Sequence, residues 1–415
     1  MFTLYPFISL RCMLGGCVLL ALGAAGSASA QYRKGKGQPA GSVVALAKAL
    51  ADPAKETAVL EQMVFRLFGK QNLTMGKAGA RVEQRTVAWA VMNPSPARVV
   101  DGKGELLGEL KPVGATGLQA LSMEMPNFSN VNYRVMVGDT PLLAGQVHIE
   151  LYDMPPEWTP AADVPQGKRV SFDYTESKIF PNTVRQVTLY TPARFDVKRT
   201  YPLMVWQDGS RHADPNGQLR ATVVMDHLIA KEQMPPTVAV FVDPGRRPDQ
   251  KQVEKAANRG FEYDSLGDAY VRFLLEELLP MVESKYGVKL SADPALRAIA
   301  GGSSGGICAF NAAWERPDKF GKVLCWVGSF VNLRGGHVYP ALVRKTERKA
   351  IRVYLLGGRN DVDNAFGSWP VANQNMAAAL KFAGYDHRFD FGECFHGSKG
   401  MSASLPDALR WLWRP

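Results

Sequence analysis

The sequence predicts a two-domain protein in which a small all-β domain precedes a larger α/β domain with a mostly parallel sheet. Two patterns lead to this prediction. Between about residues 185 and 356, apolar runs of five or six residues alternate with helical stretches, as expected for strands covered on both faces by helices. Between about residues 82 and 151, short alternating segments are separated by turn signals, which is typical of a small β-sandwich.

The first 30 residues have the pattern of an export signal. An apolar run over residues 12–25 leads to an A-x-A cleavage site that ends at Ala30, so we expect a periplasmic or extracellular protein. The alternatives are an uncleaved anchor, favoured by the basic residues at 33–36, and a lipoprotein cysteine at Cys17. The apolar run is short for a membrane span and continues past Cys17, which argues against each. No later segment is long and apolar enough to cross a membrane, so we expect no stable span after signal cleavage.

The composition of the chain argues against a nucleic-acid-binding protein and against a metal-binding protein. The chain has 415 residues, of which 46% are hydrophobic, and a formal net charge of +10. The basic residues are spread along the sequence, so we expect no nucleic-acid partner. Signal cleavage leaves an odd number of cysteines, Cys308, Cys325 and Cys394, without CxxC spacing; buried free thiols are therefore expected in place of a zinc site or a disulfide framework. Acidic residues do not cluster with histidine at ligand spacing, so we expect no metal and no organic cofactor.

The stretch over residues 298–314 has the order strand, sharp turn, helix. Apolar residues lead into the cluster GGSSGG at 301–306, which continues as an Ala-rich segment that favours a helix. This is the order of a nucleophile elbow, whose strained serine requires very small residues two positions before and after it. The pattern Gly-x-Ser-x-Gly fits in two registers, so the residues alone leave both Ser303 and Ser304 as candidate nucleophiles. A glycine-rich turn without chemistry is the alternative interpretation.

A resemblance to a known family follows from these residues. Residues 299–310, with the sequence RPDKFG at 316–321, resemble the elbow and following helix of the esterase D family, which includes enterochelin esterases and feruloyl esterases. The resemblance covers roughly residues 168–413. It implies an α/β-hydrolase fold with Ser303 as nucleophile and the amide of Ser304 as an oxyanion donor. Several secreted esterases carry a β-sandwich ahead of the hydrolase that resembles carbohydrate-associated immunoglobulin-like modules.

Aromatic residues of the predicted sandwich, Trp89, Phe128 and Tyr133, could stack on sugars. Aromatic residues in a small sandwich are more often core residues, so we assign this domain no ligand.

The predicted domain boundaries, in chain order, are a signal peptide at 1–30, a linker with short helices at 31–80, an immunoglobulin-like β-sandwich at 81–151, a Pro-rich linker at 152–167 and an α/β-hydrolase domain at 168–415.

The general base is found by elimination. In α/β-hydrolases the chain order is Ser, then Asp or Glu, then His. Only His387 and His396 follow both the nucleophile and the next strand end. His387 lies in an alternating run typical of a strand, whereas His396 lies in a loop before the last helix, where catalytic histidines of this fold are found. We therefore predict His396.

The triad acid has two candidates at the end of one strand. The apolar run 351–356 leads into a turn that contains Asp361 and Asp363. Family members place the acid directly after a Gly-x-Asn-like turn, and this resemblance implies Asp361. Asp363 is the alternative, because aspartates in such turns also cap local amides.

The remaining candidates also rest on the resemblance. In the loop after the run 201–206, the amide of Ser210 is expected to be the second oxyanion donor, and Asp208 either anchors the loop or contacts substrate. Residues 258–264 precede a long amphipathic helix, and a similar segment borders the substrate cleft in esterases of this type. The alternative is that this segment has only a structural role, as a loop before the helix that is held by its own polar groups. The candidate substrate contacts are Asp208, Arg259, Glu262, Tyr263 and, after the acid, Trp369.

These patterns predict an exported serine esterase that forms an acyl-enzyme on a small-molecule or carbohydrate-linked ester. Siderophore, feruloyl, acetyl-polysaccharide and simple esters all fit the sequence. An acyltransferase with the same triad is one alternative, since it differs only in the acceptor alcohol. A catalytically silent glycan-binding protein that uses the β-sandwich is the other.

Overall fold

The computed structural model describes residues 41–247 and 252–415, with the backbone alone for residues 252–257. The predicted signal peptide therefore lies outside the described residues. The chain forms two compact units, Met1–Ile149 and Glu150–Pro415.

The first unit contains two four-stranded antiparallel sheets, with strand orders β1-β2-β6-β5 and β4-β3-β7-β8. Three helices precede the strands. The helices are α1 (Val43–Ala51), α2 (Thr57–Phe68) and α3 (Lys70–Thr74), and the strands are β1 (Arg81–Glu83), β2 (Thr86–Met92), β3 (Ala97–Asp101), β4 (Leu106–Glu109), β5 (Lys111–Pro112), β6 (Leu118–Glu124), β7 (Ser129–Val137) and β8 (Thr140–Ile149).

Strand β2 is buried on both faces. Trp89 on one face packs between the sheets with Tyr133 of β7, at a ring-centroid distance of 5.7 Å. Ala88 and Ala90 on the other face pack against the apolar sides of the three helices. The short helices expected within residues 31–80 therefore form a third layer of this unit. Trp89 and Tyr133 are core residues, as expected, and Phe128 is half-buried.

The second unit is built on one eight-stranded sheet. Its strands are β9 (Lys168–Tyr174), β10 (Arg185–Thr191), β12 (Leu203–Gln207), β13 (Val238–Val242), β15 (Arg297–Gly302), β16 (Lys322–Trp326), β17 (Arg352–Asn360) and β20 (Asp386–Phe395), and the short strands β11 (Thr200–Tyr201), β14 (Lys289–Leu290), β18 (Asp363–Asn364) and β19 (Gly367–Ser368) form two separate pairs.

The large sheet is mostly parallel, as predicted. Its order is β20-β17-β16-β15-β12-β13-β10-β9, and only the pairings of β10 with its two neighbours are antiparallel. Strands β12, β13, β15 and β16 are buried along their whole length, because helices cover both faces. Successive side chains of a strand point to opposite faces, so each strand contributes to two separate cores.

Helices alternate with these strands and form the outer layers. They are α4 (Gly209–Ala213), α5 (Ala221–Ala230), α6 (Gln252–Asp264), α7 (Ala269–Arg272), a π-helical turn (Phe273–Leu278), α8 (Leu279–Tyr286), α9 (Ser304–Glu315), α10 (Tyr339–Lys345), α11 (Trp369–Phe382) and α12 (Lys399–Trp413).

The segment predicted as a Pro-rich linker, residues 152–167, is instead packed onto the second unit. The carboxylate of Glu157 is buried and pairs with Arg410 at 2.6 Å. The amide of Gly167 donates to Asp226 at 2.8 Å. Polar anchors at fixed positions make this segment part of the second unit, which begins at Glu150.

Two further predictions concern the cysteines and membrane spans. Cys308, Cys325 and Cys394 are buried free thiols, as expected. No helix among the described residues has the length and apolar character that crossing a bilayer requires.

Candidate active site

The candidate site lies at the carboxyl edge of the large sheet. Six parallel strands end at this edge, and ligands bind there in open α/β sheets. The turn after β15 carries Ser303, the loop after β12 carries Asp208, and the loop after β16 carries Ser329. Asp361 follows β17 and His396 follows β20. Residues that are far apart in sequence therefore meet in one place.

Ser303 has the strained conformation that a nucleophile elbow requires. Its φ is 56° and its ψ is −124°, values that a residue with a side chain rarely adopts. A Cβ added to Gly301 would lie 2.2 Å from the carbonyl oxygen of Gly305, so this position can hold only glycine, and a Cβ added to Gly305 would lie 3.0 Å from Cβ of Gln207, so that position is also crowded. Neighbouring backbone fixes the turn, because the Ser303 amide donates to the Trp326 carbonyl oxygen and the Ser303 carbonyl oxygen accepts from the Ser329 amide.

Ser303, His396 and Asp361 form one hydrogen-bonded series. Nε2 of His396 lies 2.8 Å from Oγ of Ser303, and its Nδ1 lies 2.6 Å from Oδ1 of Asp361. Asp361 is buried, and its Oδ1 also accepts from the amide of Val362 at 2.7 Å. The imidazole of His396 is 30% exposed, so the series opens toward solvent at the serine.

The alternatives considered for these roles lie elsewhere. Ser304 is buried in the first turn of α9, while Ser303 contacts the histidine. Asp363 is exposed on the short strand β18. His387 lies within β20, where its Nδ1 is 3.0 Å from the carbonyl oxygen of Tyr385. The structure thus brings together the serine, acid and histidine that were preferred.

A neighbouring serine was not anticipated from the sequence. Oγ of Ser329 lies 3.4 Å from Oγ of Ser303 and accepts a hydrogen bond from the indole of Trp369 at 3.3 Å. Trp369 is buried and meets the His396 ring edge to face at 5.8 Å. The chain reaches Ser329 through Val327, whose φ of 43° is a strained value for a β-branched residue. A polar residue three positions after the last residue of a buried strand was the available signal for Ser329.

The two expected oxyanion donors differ in their surroundings. Ser304 begins α9, and amides in the first turn of a helix have no intrahelical acceptor. The amide of Ser210, in contrast, donates to Oδ1 of Asp243 at 2.9 Å. This corrects the expectation that the Ser210 amide points at the oxyanion. The reason is local, since Ser210 lies in the first turn of α4 and Asp243, at the end of the adjacent β13, supplies an acceptor.

Asp208 anchors the loop after β12. Its carboxylate accepts two hydrogen bonds from Arg259 at 2.8 and 2.7 Å, and its amide donates to the hydroxyl of Tyr263 at 3.3 Å. Burial alone would raise the pKa of Asp208, but the Arg259 guanidinium outweighs burial and holds that pKa below its ordinary value. Oδ2 of Asp208 would lie 3.2 Å from a Cβ on Gly305, so the pair sits directly against the elbow.

Glu262 and Tyr263 are not placed to contact substrate, which corrects that expectation. The Glu262 side chain is fully buried and pairs with Arg185 at 2.9 and 3.1 Å. Tyr263 is 1% exposed, and its hydroxyl donates to the carbonyl oxygen of Val242 at 3.1 Å. Both lie on the inward side of α6, where they bind protein groups that would otherwise be buried without partners.

An open pocket of about 700 Å³ adjoins this site. Its lining includes Asp208, which lies against the elbow, together with Ser210, Arg211, Arg246 and Arg259. The lining is mostly polar, so the pocket suits a hydroxylated or charged part of a ligand.

The fold and the arrangement of the site define an α/β-hydrolase. A family model for esterases, described as "Putative esterase", matches residues 177–412, which is more than half of the chain. This chain belongs to that esterase family.

Curated relatives match over part of their length. Iron(III) enterobactin esterase of Dickeya dadantii (strain 3937) is 26% identical over 245 residues, covering 55% of this chain and 51% of the relative. The uncharacterised protein YbbA of Bacillus subtilis (strain 168) is 25% identical over 150 residues, covering 35% of this chain and 57% of the relative. The chain thus spans little more than half the length of these relatives.

Solved structures share the fold over most of the chain. The crystal structure of an enterochelin esterase from Shigella flexneri aligns with 81% of this chain and 94% of its own, with a TM-score of 0.56 and 19% identity. Ferric enterobactin esterase from Salmonella typhimurium aligns with 81% of this chain and 96% of its own, with a TM-score of 0.55 and 16% identity. At these identities the likeness establishes the fold alone.

Proposed function

We propose that this protein is an exported serine esterase that hydrolyses carboxylic esters through an acyl-enzyme on Ser303. The hydrogen-bonded series of Ser303, His396 and Asp361 carries this proposal, because it links a nucleophile to a base and the base to an orienting carboxylate. Membership in an esterase family supports the same reaction class. Export rests on the sequence pattern of the first 30 residues.

Each triad residue has one role in the proposed reaction. His396 takes the proton of Ser303 as Oγ bonds to the ester carbonyl carbon, and the carbonyl oxygen becomes negatively charged. The amide of Ser304 faces this charge as the helix-terminal donor. His396 then gives the proton to the leaving alcohol, the C–O bond breaks, and the acyl group remains on Ser303. Water, deprotonated by His396, releases the acid in the same way, while Asp361 orients the imidazole throughout.

The substrate proposal begins with esters of siderophore type. A relative whose name specifies enterobactin as substrate matches 55% of this chain in sequence, and a solved structure of a ferric enterobactin esterase shares its fold. The polar pocket beside Asp208 offers hydrogen-bonding groups to a hydroxylated substrate. Feruloyl and acetyl-polysaccharide esters are the next classes to test.

The test is hydrolysis of p-nitrophenyl acetate and butyrate by protein purified after expression from the full sequence. We expect Ser303→Ala to abolish turnover and Ser304→Ala to keep at least about a tenth of it, since alanine retains the backbone amide. Ser404→Ala is the matched control for loss of a hydroxyl, because this hydroxyl donates to the Gly400 carbonyl oxygen within helix α12. Full activity in Ser303→Ala would refute the proposal, and a dead Ser304→Ala beside an active Ser303→Ala would move the nucleophile by one residue. The rates of hydrolysis of enterobactin, methyl ferulate and acetylated xylan are then compared to rank the three substrate classes.

A further inference from the structure

A buried serine lies beside the proposed nucleophile and takes no part in the proposed reaction of the triad. Ser329 is 1% exposed, and its Oγ lies 3.4 Å from Oγ of Ser303. The indole of Trp369 donates to the same Ser329 oxygen at 3.3 Å. The hydroxyl of Ser329 therefore has two polar neighbours, and one of them is the atom that attacks the ester in the proposed reaction.

The backbone around Ser329 is strained and firmly held. The chain reaches this residue through Val327, whose φ of 43° is unfavourable for a β-branched side chain. The amide of Val327 donates to strand β17 at 2.7 Å, and the side-chain amide of Asn373 donates to the Gly328 carbonyl oxygen at 2.9 Å. The amide of Ser329 donates to the Ser303 carbonyl oxygen at 3.1 Å. Strained residues that several contacts hold in place are concentrated at active sites, so this loop suggests a functional role for Ser329.

The hydrogen bonds of the triad fix the direction of the contact between the two serines. The carboxylate of Asp361 can only accept, so Nδ1 of a neutral His396 carries the ring hydrogen and Nε2 is an acceptor. The one hydroxyl hydrogen of Ser303 is therefore directed to Nε2, at 2.8 Å. Because this hydrogen is already used, Ser329 is the donor in the 3.4 Å contact and Oγ of Ser303 is the acceptor. The indole N–H can only donate, so it leaves the hydroxyl hydrogen of Ser329 available.

The contact between the two serines becomes stronger during the reaction. Its length of 3.4 Å exceeds the usual range of about 2.5–3.0 Å for such a bond, so it contributes little in the resting enzyme. Negative charge develops on Oγ of Ser303 as its proton moves to His396, and again as this oxygen leaves the acyl group. Hydrogen bonds to a charged acceptor are shorter and about twice as strong as neutral ones. A donor that binds the reacting oxygen more strongly in the transition state than in the resting state lowers the barrier without changing substrate binding.

We infer that Ser329 is a further catalytic residue: its hydroxyl, oriented by Trp369, donates to Oγ of Ser303 and stabilises the negative charge on this oxygen as it attacks the ester and as it leaves the acyl-enzyme. This inference rests on the proposed esterase function. Ser329 keeps its own proton in both steps, because His396 accepts and returns the proton of Ser303. The competing explanation is structural, namely that Ser329 only supplies a buried acceptor for the indole of Trp369.

The experiment measures kcat and KM on p-nitrophenyl butyrate with protein expressed from the full sequence. Ser329→Ala should lower kcat roughly ten-fold with little change in KM, because it removes one hydrogen bond to a charged group that forms in the transition state. Ser291→Ala is the matched control and should keep the wild-type kcat and KM. Ser291 is also a buried serine, but its amide donates to the carbonyl oxygen of Tyr201, two residues before β12, so it lies at the opposite edge of the sheet. A wild-type kcat in Ser329→Ala, or an equal loss in Ser291→Ala, overturns the inference.

Trp369→Phe separates the catalytic role from the structural one. Phenylalanine lacks the indole N–H, so in this background Ser329 loses its structural partner but keeps its contact with Ser303. We expect Ser329→Ala to lower kcat in the Trp369→Phe background by about three-fold or more, and a smaller effect overturns the inference. If Ser329→Ala does not fold, Ser329→Cys decides, because a thiol has a similar shape but donates weakly. An unchanged kcat in that variant overturns the inference.

Ser303→Ala is run in parallel to separate this inference from the esterase proposal. Retained activity in Ser303→Ala refutes the esterase proposal and, with it, the role of Ser329. An inactive Ser303→Ala beside a fully active Ser329→Ala leaves the esterase proposal in place and overturns the role of Ser329 alone.

Discussion

The pair between Arg185 and Glu262 predicts a large loss of stability from one small substitution. Both side chains are fully buried, and Glu262 accepts hydrogen bonds from the guanidinium at 2.9 and 3.1 Å and from the amide of Gly245 at 3.0 Å. Glu262→Gln keeps the shape of the side chain but removes its charge. The positive charge of Arg185 is then buried without a counter-ion, beside the rings of Phe180 and Phe273.

Breaking a buried pair in this way costs about 3–5 kcal/mol, since the remaining charge loses its compensation. The assay is urea unfolding followed by tryptophan fluorescence, which reports the second unit because Trp89 alone of the eight tryptophans lies in the first. With an m-value of about 2–3 kcal/mol per molar, the midpoint should fall by roughly 1–2 M. KM at a permissive temperature should not change, because Glu262 does not face the pocket.

The control is Glu276→Gln, which removes the acid of the exposed pair with Arg272. Those side chains are 45% and 52% exposed and one helical turn apart, so solvent screens the pair and the urea midpoint of this variant should stay close to that of wild type. Equal midpoint shifts in the two variants would refute the reasoning from burial. A raised KM with unchanged stability in Glu262→Gln would restore this residue as a substrate contact.

Two further predictions test the site. Asp361→Asn should lower kcat by about 10⁴ with little change in KM, because the imidazole loses its orienting carboxylate. The kcat of Asp363→Asn should remain near that of wild type, because Asp363 is exposed. The reverse result would identify Asp363 as the acid. Gly301→Ala should abolish activity and destabilise the protein by about 2 kcal/mol or more, because its Cβ would lie 2.2 Å from the Gly305 carbonyl oxygen. Gly392→Ala, where a Cβ meets no atom within 4 Å, is the control in thermal unfolding, and equal midpoints would contradict the crowding argument.

Much of the fold could be predicted because it follows from local patterns. Apolar runs without alternation identified the buried parallel strands, and the helical stretches predicted between them are helices in the structure. The elbow was readable for the same reason, since its strain restricts residue size at fixed sequence distances. The packing partner of the helices at residues 43–74 could not be predicted from the sequence. It is the face of β2 that carries Ala88 and Ala90, and only the structure brings the helices onto this face.

The candidate site, like the fold, has features that the sequence predicts and features that only the tertiary structure shows. The sequence by itself determined the residue types and their order along the chain, because a strand–turn–helix elbow and a late loop histidine are local features. Only the tertiary structure placed Asp361, and not Asp363, beside His396, paired Asp208 with Arg259, buried Glu262 and gave the Ser210 amide to Asp243. Each of these outcomes depends on contacts between side chains that are far apart in sequence and come together at the ends of separate strands. Hydrophobic periodicity predicts which face of a helix or strand is buried, but it does not predict such contacts.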